Sequence, residues 1–305
     1  MAGQPYADLF VSAFDGLRLY ARDYGPSRSD ALPVLCLPGL ARTSADFHEL
    51  ALALANDGER PRRVLAVDYR GRGRSEYDRN WRNYDLRVEL SDVLQVVTVA
   101  GLEAAAVVGT SRGGLLAMSL SAARAGLIRA VVLNDVGPVL DVNGLTRIRG
   151  YVGKLPSPRD YAEGAEILKS LFGTQFPGFG AADWDAFART TWKEADGRLV
   201  ADYDPALRLP LEALDLDAPM PPLWFLFAGL RQVPLLILRG AYSDLLSAET
   251  VQAMAKAHPR LQAVTVPDQG HPPSLRGPDM IGRIRAFVTS AEGTPQAVMA
   301  QAASP

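Results

Sequence analysis

The residue best placed to do chemistry is a serine framed by glycines, in Gly109-Thr110-Ser111-Arg112-Gly113. A serine hydroxyl is a weak nucleophile until a base takes its proton and the backbone holds it clear of the surrounding chain. The G-x-S-x-G spacing meets the second need when it joins a buried strand to a helix. The serine then sits at the apex of a strained turn, and the glycines let neighbouring backbone pass where a Cβ would clash. The flanks here are of that kind. Ala104 to Val108 is a short uncharged apolar run, and Leu115 to Leu120 is a good helix former. Alone, the motif reads equally as a glycine-rich turn between a core strand and a core helix, so its partners decide.

A base and an acid are required. The chain has three histidines. His48 falls inside a helix pattern and His258 at a helix end beside Pro259, both structural positions. His271 lies in Asp268-Gln269-Gly270-His271-Pro272-Pro273, directly after the apolar run Leu261 to Val266. Loops at the carboxyl edge of an open α/β sheet are where such folds place their sites. Two acids could hold its imidazole in one tautomer. Asp244 follows the run Val233 to Leu238, and Asp135 follows Ala130 to Asn134; Asp135 reads otherwise as a loop residue capping backbone amides before Pro138. Two buried carboxylates around one histidine would repel, so one is expected to bond it. Asp268 reads as a turn residue shaping the His271 loop. A developing oxyanion would need backbone N–H donors, expected from Arg112 and from Leu40 after Pro38-Gly39. The Arg112 side chain either faces the cleft, favouring carboxylate-bearing substrates, or turns sideways onto a structural acid.

The elements needed to position these groups are legible. Ala7 to Ala13 and Leu17 to Tyr24 read as strands around the Asp15-Gly16 turn. Pro33 to Leu37, Arg63 to Asp68, Ala104 to Val108, Ala130 to Asn134, Val233 to Leu238 and Leu261 to Val266 read as buried strands. Helix patterns separate them, among them a stretch through about Asn56, Leu86 to Ala100, Ala248 to His258 and Pro278 to Ser290. Uniformly apolar strands alternating with helices imply a mostly parallel sheet covered on both faces. Between Asp135-Val136-Gly137-Pro138 and Val233 the rhythm breaks. Residues 139–229 show no clear buried strand and are rich in aromatics, including Trp184, Trp192 and Trp224. They are expected to form an inserted helical cap, most of whose aromatics build its own core. Residues 1–138 and 230–290 would form the main domain, and 291–305, small and Ala-rich, a flexible tail.

Together these motifs resemble the α/β-hydrolase superfamily. The resemblance runs through Pro33-Val34-Leu35-Cys36-Leu37-Pro38-Gly39, Asp68-x-Arg70-Gly71-x-Gly73-x-Ser75, Gly109-x-Ser111-x-Gly113-Gly114, Arg239-Gly240-x-x-Ser243-Asp244 and Asp268-x-Gly270-His271-x-Pro273. It implies the α/β-hydrolase fold, with a central eight-stranded, mostly parallel sheet, a cap after the sixth strand, and a Ser–His–Asp hydrolase. It favours Asp244, at the position after the seventh strand, over Asp135. It points to the compact capped group of esterases, enol-lactonases and meta-cleavage-product hydrolases. The substrate would be a small or medium ester or lactone, or else a vinylogous keto acid cleaved at a C–C bond. A ligand-binding protein on the same fold is the non-enzymatic alternative. Pro38 stands where a histidine is more familiar, and Arg112 where Met, Gln or Leu is usual. Ser111 argues against dehalogenases and epoxide hydrolases, which carry Asp there.

Composition sets the remaining bounds. The chain is 48% hydrophobic and 22% charged, enough to bury a full core. A net charge of −2 gives no reason to expect a nucleic-acid or membrane partner. One cysteine, Cys36, excludes an intrachain disulfide and reads as a core filler. The first ten residues show no secretory leader, so a cytoplasmic location is expected. No His/Cys cluster has ligand spacing, so neither metal nor organic cofactor is expected. Nothing separates a monomer from a homodimer.

Overall fold

The computed structural model of the chain describes residues 4–218 and 220–292. Eight strands form one sheet. β1 (Tyr6–Ser12) and β2 (Arg18–Tyr24) make an antiparallel hairpin, followed by β3 (Val34–Leu37), α1 (His48–Ala55), β4 (Val64–Asp68), α2 (Leu86–Val99), β5 (Ala105–Thr110), α3 (Arg112–Ala123) and β6 (Ile128–Asn134). Then comes the insert: α4 (Val142–Tyr151), α5 (Tyr161–Phe172), α6 (Ala181–Thr191), β7 (Trp192–Ala195), β8 (Arg198–Ala201) and α7 (Arg208–Glu212). The short α8 (Trp224–Ala228), β9 (Leu235–Gly240), α9 (Ala248–Ala257), β10 (Leu261–Val266) and α10 (Pro278–Glu292) complete the chain. The sheet order is β1-β2-β4-β3-β5-β6-β9-β10, antiparallel only where β2 meets β1 and β4. Among the described residues no helix is long and apolar enough to cross a membrane.

The strands are continuous apolar runs because both faces are covered. Side chains alternate between two cores, as the pleat requires. Leu35 and Leu37 face a cluster with Val93, Val96, Leu116, Leu120 and Met254 of α2, α3 and α9. Val34 and Cys36 face Leu50, Leu54, Phe287 and Val288 of α1 and α10. Cys36 is thus a packed core residue, and burial pushes its thiol well above the usual range.

Three boundaries differ from the sequence expectation. The insert contains a short antiparallel hairpin, β7–β8, where the sequence shows no clear buried strand. Its turn is Asp196-Gly197, with φ of 50° and 72°, the left-handed pair that a two-residue hairpin loop demands. The signal was present, but four-residue strands give too little alternation to read. The insert also returns to the main domain before residue 229. Leu223 N–H donates to the Pro138 carbonyl (2.7 Å), and α8 packs Phe227 into the core cluster beside α3. Finally, α10 runs past residue 290. Ala291 is buried, and Glu292 accepts from Arg62 Nη1 (2.5 Å) and Leu32 N–H (2.9 Å). The rest of the expected tail, 293–305, lies outside the described residues.

Arg62 is fully buried and depends on Glu292 for its charge partner. Removing one member of a buried pair leaves the other uncompensated. Glu292→Ala is therefore expected to lower unfolding stability by about 3 kcal/mol. It should appear as a lower urea midpoint at unchanged slope; an unchanged midpoint would contradict the reading.

Candidate active site

β5 ends at Thr110 and α3 begins at Arg112, so Ser111 alone makes the reversal. Its backbone sits at φ 51° and ψ −115°, a conformation L-residues rarely adopt. Two glycines make it attainable. A methyl group on Gly113 would collide with the Leu37 carbonyl, and one on Gly109 would lie 2.6 Å from the Gly113 carbonyl oxygen. The strain is held by neighbours: Ser111 N–H donates to the Asn134 carbonyl (3.0 Å), across the β5–β6 pairing.

Sheet register then assembles the rest. Thr110 pairs with Asn134, and Asn134 with Leu238, so β5 and β6 end level while β9 runs two residues further, to Gly240. His271, in the loop after β10, reaches back across that edge. Its Nε2 lies 3.0 Å from Ser111 Oγ, and its Nδ1 lies 2.8 Å from Asp135 Oδ2. The loop is anchored by the Asn134 amide, which donates to the Pro273 carbonyl (2.9 Å) and to Thr110 Oγ1 (3.2 Å). With Nδ1 protonated, Nε2 is the free base facing the hydroxyl.

The acid on His271 is Asp135 and not Asp244, the residue the sequence favoured. β6 lies between β5 and β9, so its first loop residue stands nearer the Ser111 end of the sheet. Asp135 adopts φ 57° and is fully buried. Beyond the histidine it receives Gly240 N–H on Oδ1 (2.8 Å) and Ser243 O–H on Oδ2 (2.5 Å). The β9 loop thus serves the site as a donor, through Ser243. Asp244, one residue on, turns to the insert, where Arg147 grips it with Nε on Oδ2 (2.6 Å) and Nη2 on Oδ1 (2.8 Å). Burial pushes the Asp244 carboxyl up, but Arg147 and Gln175 outweigh it and hold the group below its ordinary range. Asp268 occupies a left-handed turn position ahead of the histidine loop, at φ 54°.

The Arg112 side chain does not face the cleft. Its Nε donates to Glu89 Oε2 (2.5 Å), the sideways pairing the sequence left open. Among the described residues, neither the Leu40 nor the Arg112 backbone N–H donates to another protein group. His48 and His258 are structural: the first meets Tyr24 Oη (3.0 Å), the second the Leu230 carbonyl (2.8 Å).

Ser111 and His271 open onto a cavity of about 150 Å³. The turn at Gly39–Arg42 forms one wall. The insert supplies much of the rest, including Ile148, Tyr151, Leu168, Phe172, Phe176 and Phe187. Sequence reasoning did not single out Arg42. It sits between core and insert, binding Asp46 through Nε (2.7 Å) and donating to Thr191 Oγ1 and Thr190 Oγ1 (both 2.7 Å) at the end of α6. Arg276, the other cation on the cavity, pairs with Glu49. Among the described residues no three His, Cys, Asp or Glu side chains converge as a metal site would require.

Known proteins resemble this chain in sequence and in fold. A family model described as the alpha/beta hydrolase family matches residues 34–281. The 3-hydroxybutyrate-oligomer hydrolase of Cupriavidus necator is 32% identical over 294 residues, covering 92% of this chain and 97% of that protein. The solved structure of an alpha/beta hydrolase from Novosphingobium aromaticivorans superposes with a TM-score of 0.87 at 39% identity, over 94% of this chain and 99% of that one. That of E-2-(acetamidomethylene)succinate hydrolase has a TM-score of 0.75 at 22% identity, over 93% and 99%, a likeness of fold.

The two acids separate experimentally. Asp135→Asn is expected to slow covalent labelling of Ser111 by a fluorophosphonate by roughly 10⁴, as loss of the correct tautomer does in other triads. Asp244→Asn should leave labelling within a few-fold and show itself in thermal stability. The opposite order would return the role to Asp244.

Proposed function

Since the chain belongs to the alpha/beta hydrolase family, we propose that it is a serine hydrolase cleaving carboxylic esters through an acyl-enzyme on Ser111. The observation that carries this reading is the unbroken chain Asp135–His271–Ser111 opening onto one cavity. His271 Nε2 takes the Ser111 proton as Oγ attacks the ester carbonyl. Asp135 fixes the tautomer and stabilises the imidazolium that forms. The Leu40 and Arg112 N–H groups, which flank the serine, hold the oxyanion. The imidazolium returns its proton to the leaving alcohol, and water repeats the cycle on the acyl-enzyme.

Cavity chemistry guides the choice of substrate. Its walls are chiefly aliphatic and aromatic, and both cations on it, Arg42 and Arg276, are matched by Asp46 and Glu49. An uncharged ester with a small apolar acyl group suits such a site better than a keto acid needing an unpaired cation. The Cupriavidus relative, a 3-hydroxybutyrate-oligomer hydrolase, supports the same class. The insert between Pro138 and Leu223 acts as the cap, excluding water and setting the length of chain admitted. The protein is proposed to act in the cytoplasm, without cofactor.

Purified protein should hydrolyse 4-nitrophenyl butyrate and trimeric 3-hydroxybutyrate. Ser111→Ala should remove turnover by on the order of 10⁶. Faster turnover of a dienoic ring-fission acid than of either ester would sink the ester reading. Absence of both turnover and Ser111 labelling would sink the enzymatic one.

In the cap, Phe172→Ala should change the acyl-length preference across 4-nitrophenyl acetate to octanoate several-fold. Labelling of Ser111 by a small fluorophosphonate should stay close to wild type. An unchanged chain-length profile would remove the cap from substrate selection.

A further inference from the structure

Arg112 is the departure from the usual residue after the serine, and its side chain plays no part in the chemistry proposed above. Where it goes is informative. Its Nε donates to Glu89 Oε2 at 2.5 Å, and its Nη2 donates to the Tyr84 carbonyl (3.3 Å). Glu89, on the first turn of α2, is fully buried. Its other oxygen, Oε1, lies 2.8 Å from Arg72 Nη1, held there by charge rather than by an aligned hydrogen bond. Arg72 is itself fully buried between the rings of Tyr69 and Tyr84. Its Nε donates to the Leu40 carbonyl at 2.8 Å, and its Nη1 to the Arg70 carbonyl at 2.6 Å.

One carboxylate therefore joins the two residues whose backbone N–H groups flank Ser111. Leu40 is reached through Arg72, and Arg112 directly. They come from different segments, the loop after β3 and the first residue of α3, and no backbone hydrogen bond among the described residues joins Leu40 to Arg112. We infer that Glu89 is a positioning residue: through Arg72 and Arg112 it fixes the separation and aim of the two oxyanion-binding N–H groups. The inference rests on the ester-hydrolase reading.

Placement of donors counts steeply in such sites. Removal of one oxyanion donor costs about 10²–10³ in rate, and a misplacement near 1 Å about 10². A buried ionic cluster is poor at adding stability but well suited to holding one geometry. Burial pushes the Arg72 guanidinium below its ordinary value, and Glu89 acts against that shift. The cluster is thus mutually dependent, with both cations leaning on one anion.

The test compares Glu89→Gln with wild type on 4-nitrophenyl butyrate and with a trifluoromethyl ketone, whose addition to Ser111 creates an oxyanion. Glu89→Gln is expected to lower kcat about 10- to 100-fold with KM within three-fold, and to weaken the ketone in proportion to kcat. Arg112→Met, which keeps the backbone N–H, should act in the same direction less severely, and it decides the matter if Glu89→Gln does not fold. Asp23→Asn, which breaks the remote Arg63–Asp23 pair, should lower the melting temperature without touching kcat. Loss of melting temperature with unchanged kcat and ketone affinity in the folded variants would make the cluster a structural brace and overturn the proposal. Failure of wild type to turn over the ester or to react at Ser111 would instead overturn the reading on which it rests.

Discussion

A carboxylate with no exposure to solvent is costly unless every lone pair finds a donor. Asp135 is such a group, and the site is built around satisfying it. Gly240 N–H, Ser243 O–H and His271 Nδ1 converge on its two oxygens from the β9 and β10 loops. These contacts require β9 to run two residues past the end of β6, and the histidine loop to cross both. Asn134, one residue before, does the complementary task by tying that loop to Thr110. Satisfying one buried charge thus fixes the histidine, and the histidine's position relative to Ser111 follows.

The insert is fastened to this frame at points that surround the serine. Arg147 of α4 binds Asp244 on the histidine side, and Gly144 N–H donates to the Asp244 carbonyl (2.9 Å). Arg42 binds the end of α6 on the Leu40 side. The loop after β4 takes a third hold, with Gly73 N–H donating to the Asp202 carbonyl (2.9 Å) and Asp204 N–H to that of Gly71 (2.7 Å). Asp244 therefore has a structural use that explains a carboxylate so close to the site. Paired to Arg147, its charge repels the Asp135 carboxylate little, so the two acids coexist without sharing the histidine.

Much of this was legible. Ser111 and His271 stand out because strand–turn–helix and strand–loop contexts are written in local apolar runs and glycines. The mostly parallel sheet follows from the same runs, and its eight strands from the resemblance they carry. The choice between Asp135 and Asp244 was not legible, because both follow a buried strand and strand order is a non-local property. Only the adjacency of β5 and β6 discriminates. Ser243 was overlooked for a related reason: its acidic neighbour offered the more obvious chemistry. The β7–β8 hairpin was missed although Asp196-Gly197 announced it, since strands of four residues are too short to show a period. Several insert aromatics could be assigned to an apolar interior, but not to one side of it. Trp184 and Trp192 pack in the insert's own core, whereas Phe172, Phe176 and Phe187 join that core while also lining the cavity.

The arginine-rich stretch after β4 shows how a motif can serve a site without touching it. Asp68 accepts from Ser44 N–H (2.6 Å) and Arg74 N–H (3.0 Å), closing the loops after β3 and β4 on each other. Arg70, fully buried, spreads its charge over Asp92, Asp15 and Asp78. Arg72 continues the series toward Leu40. Hydrophobic replacements of such clusters often match or exceed their stability, so stability alone gives little reason to bury this many charges. Their directional value is larger. An aliphatic core constrains volume, whereas a guanidinium held by two carbonyls and a carboxylate constrains direction as well. Among the described residues the turn at Gly39–Arg42, which faces Ser111, belongs to no strand, so the buried Arg72 supplies the rigidity that a strand would have given.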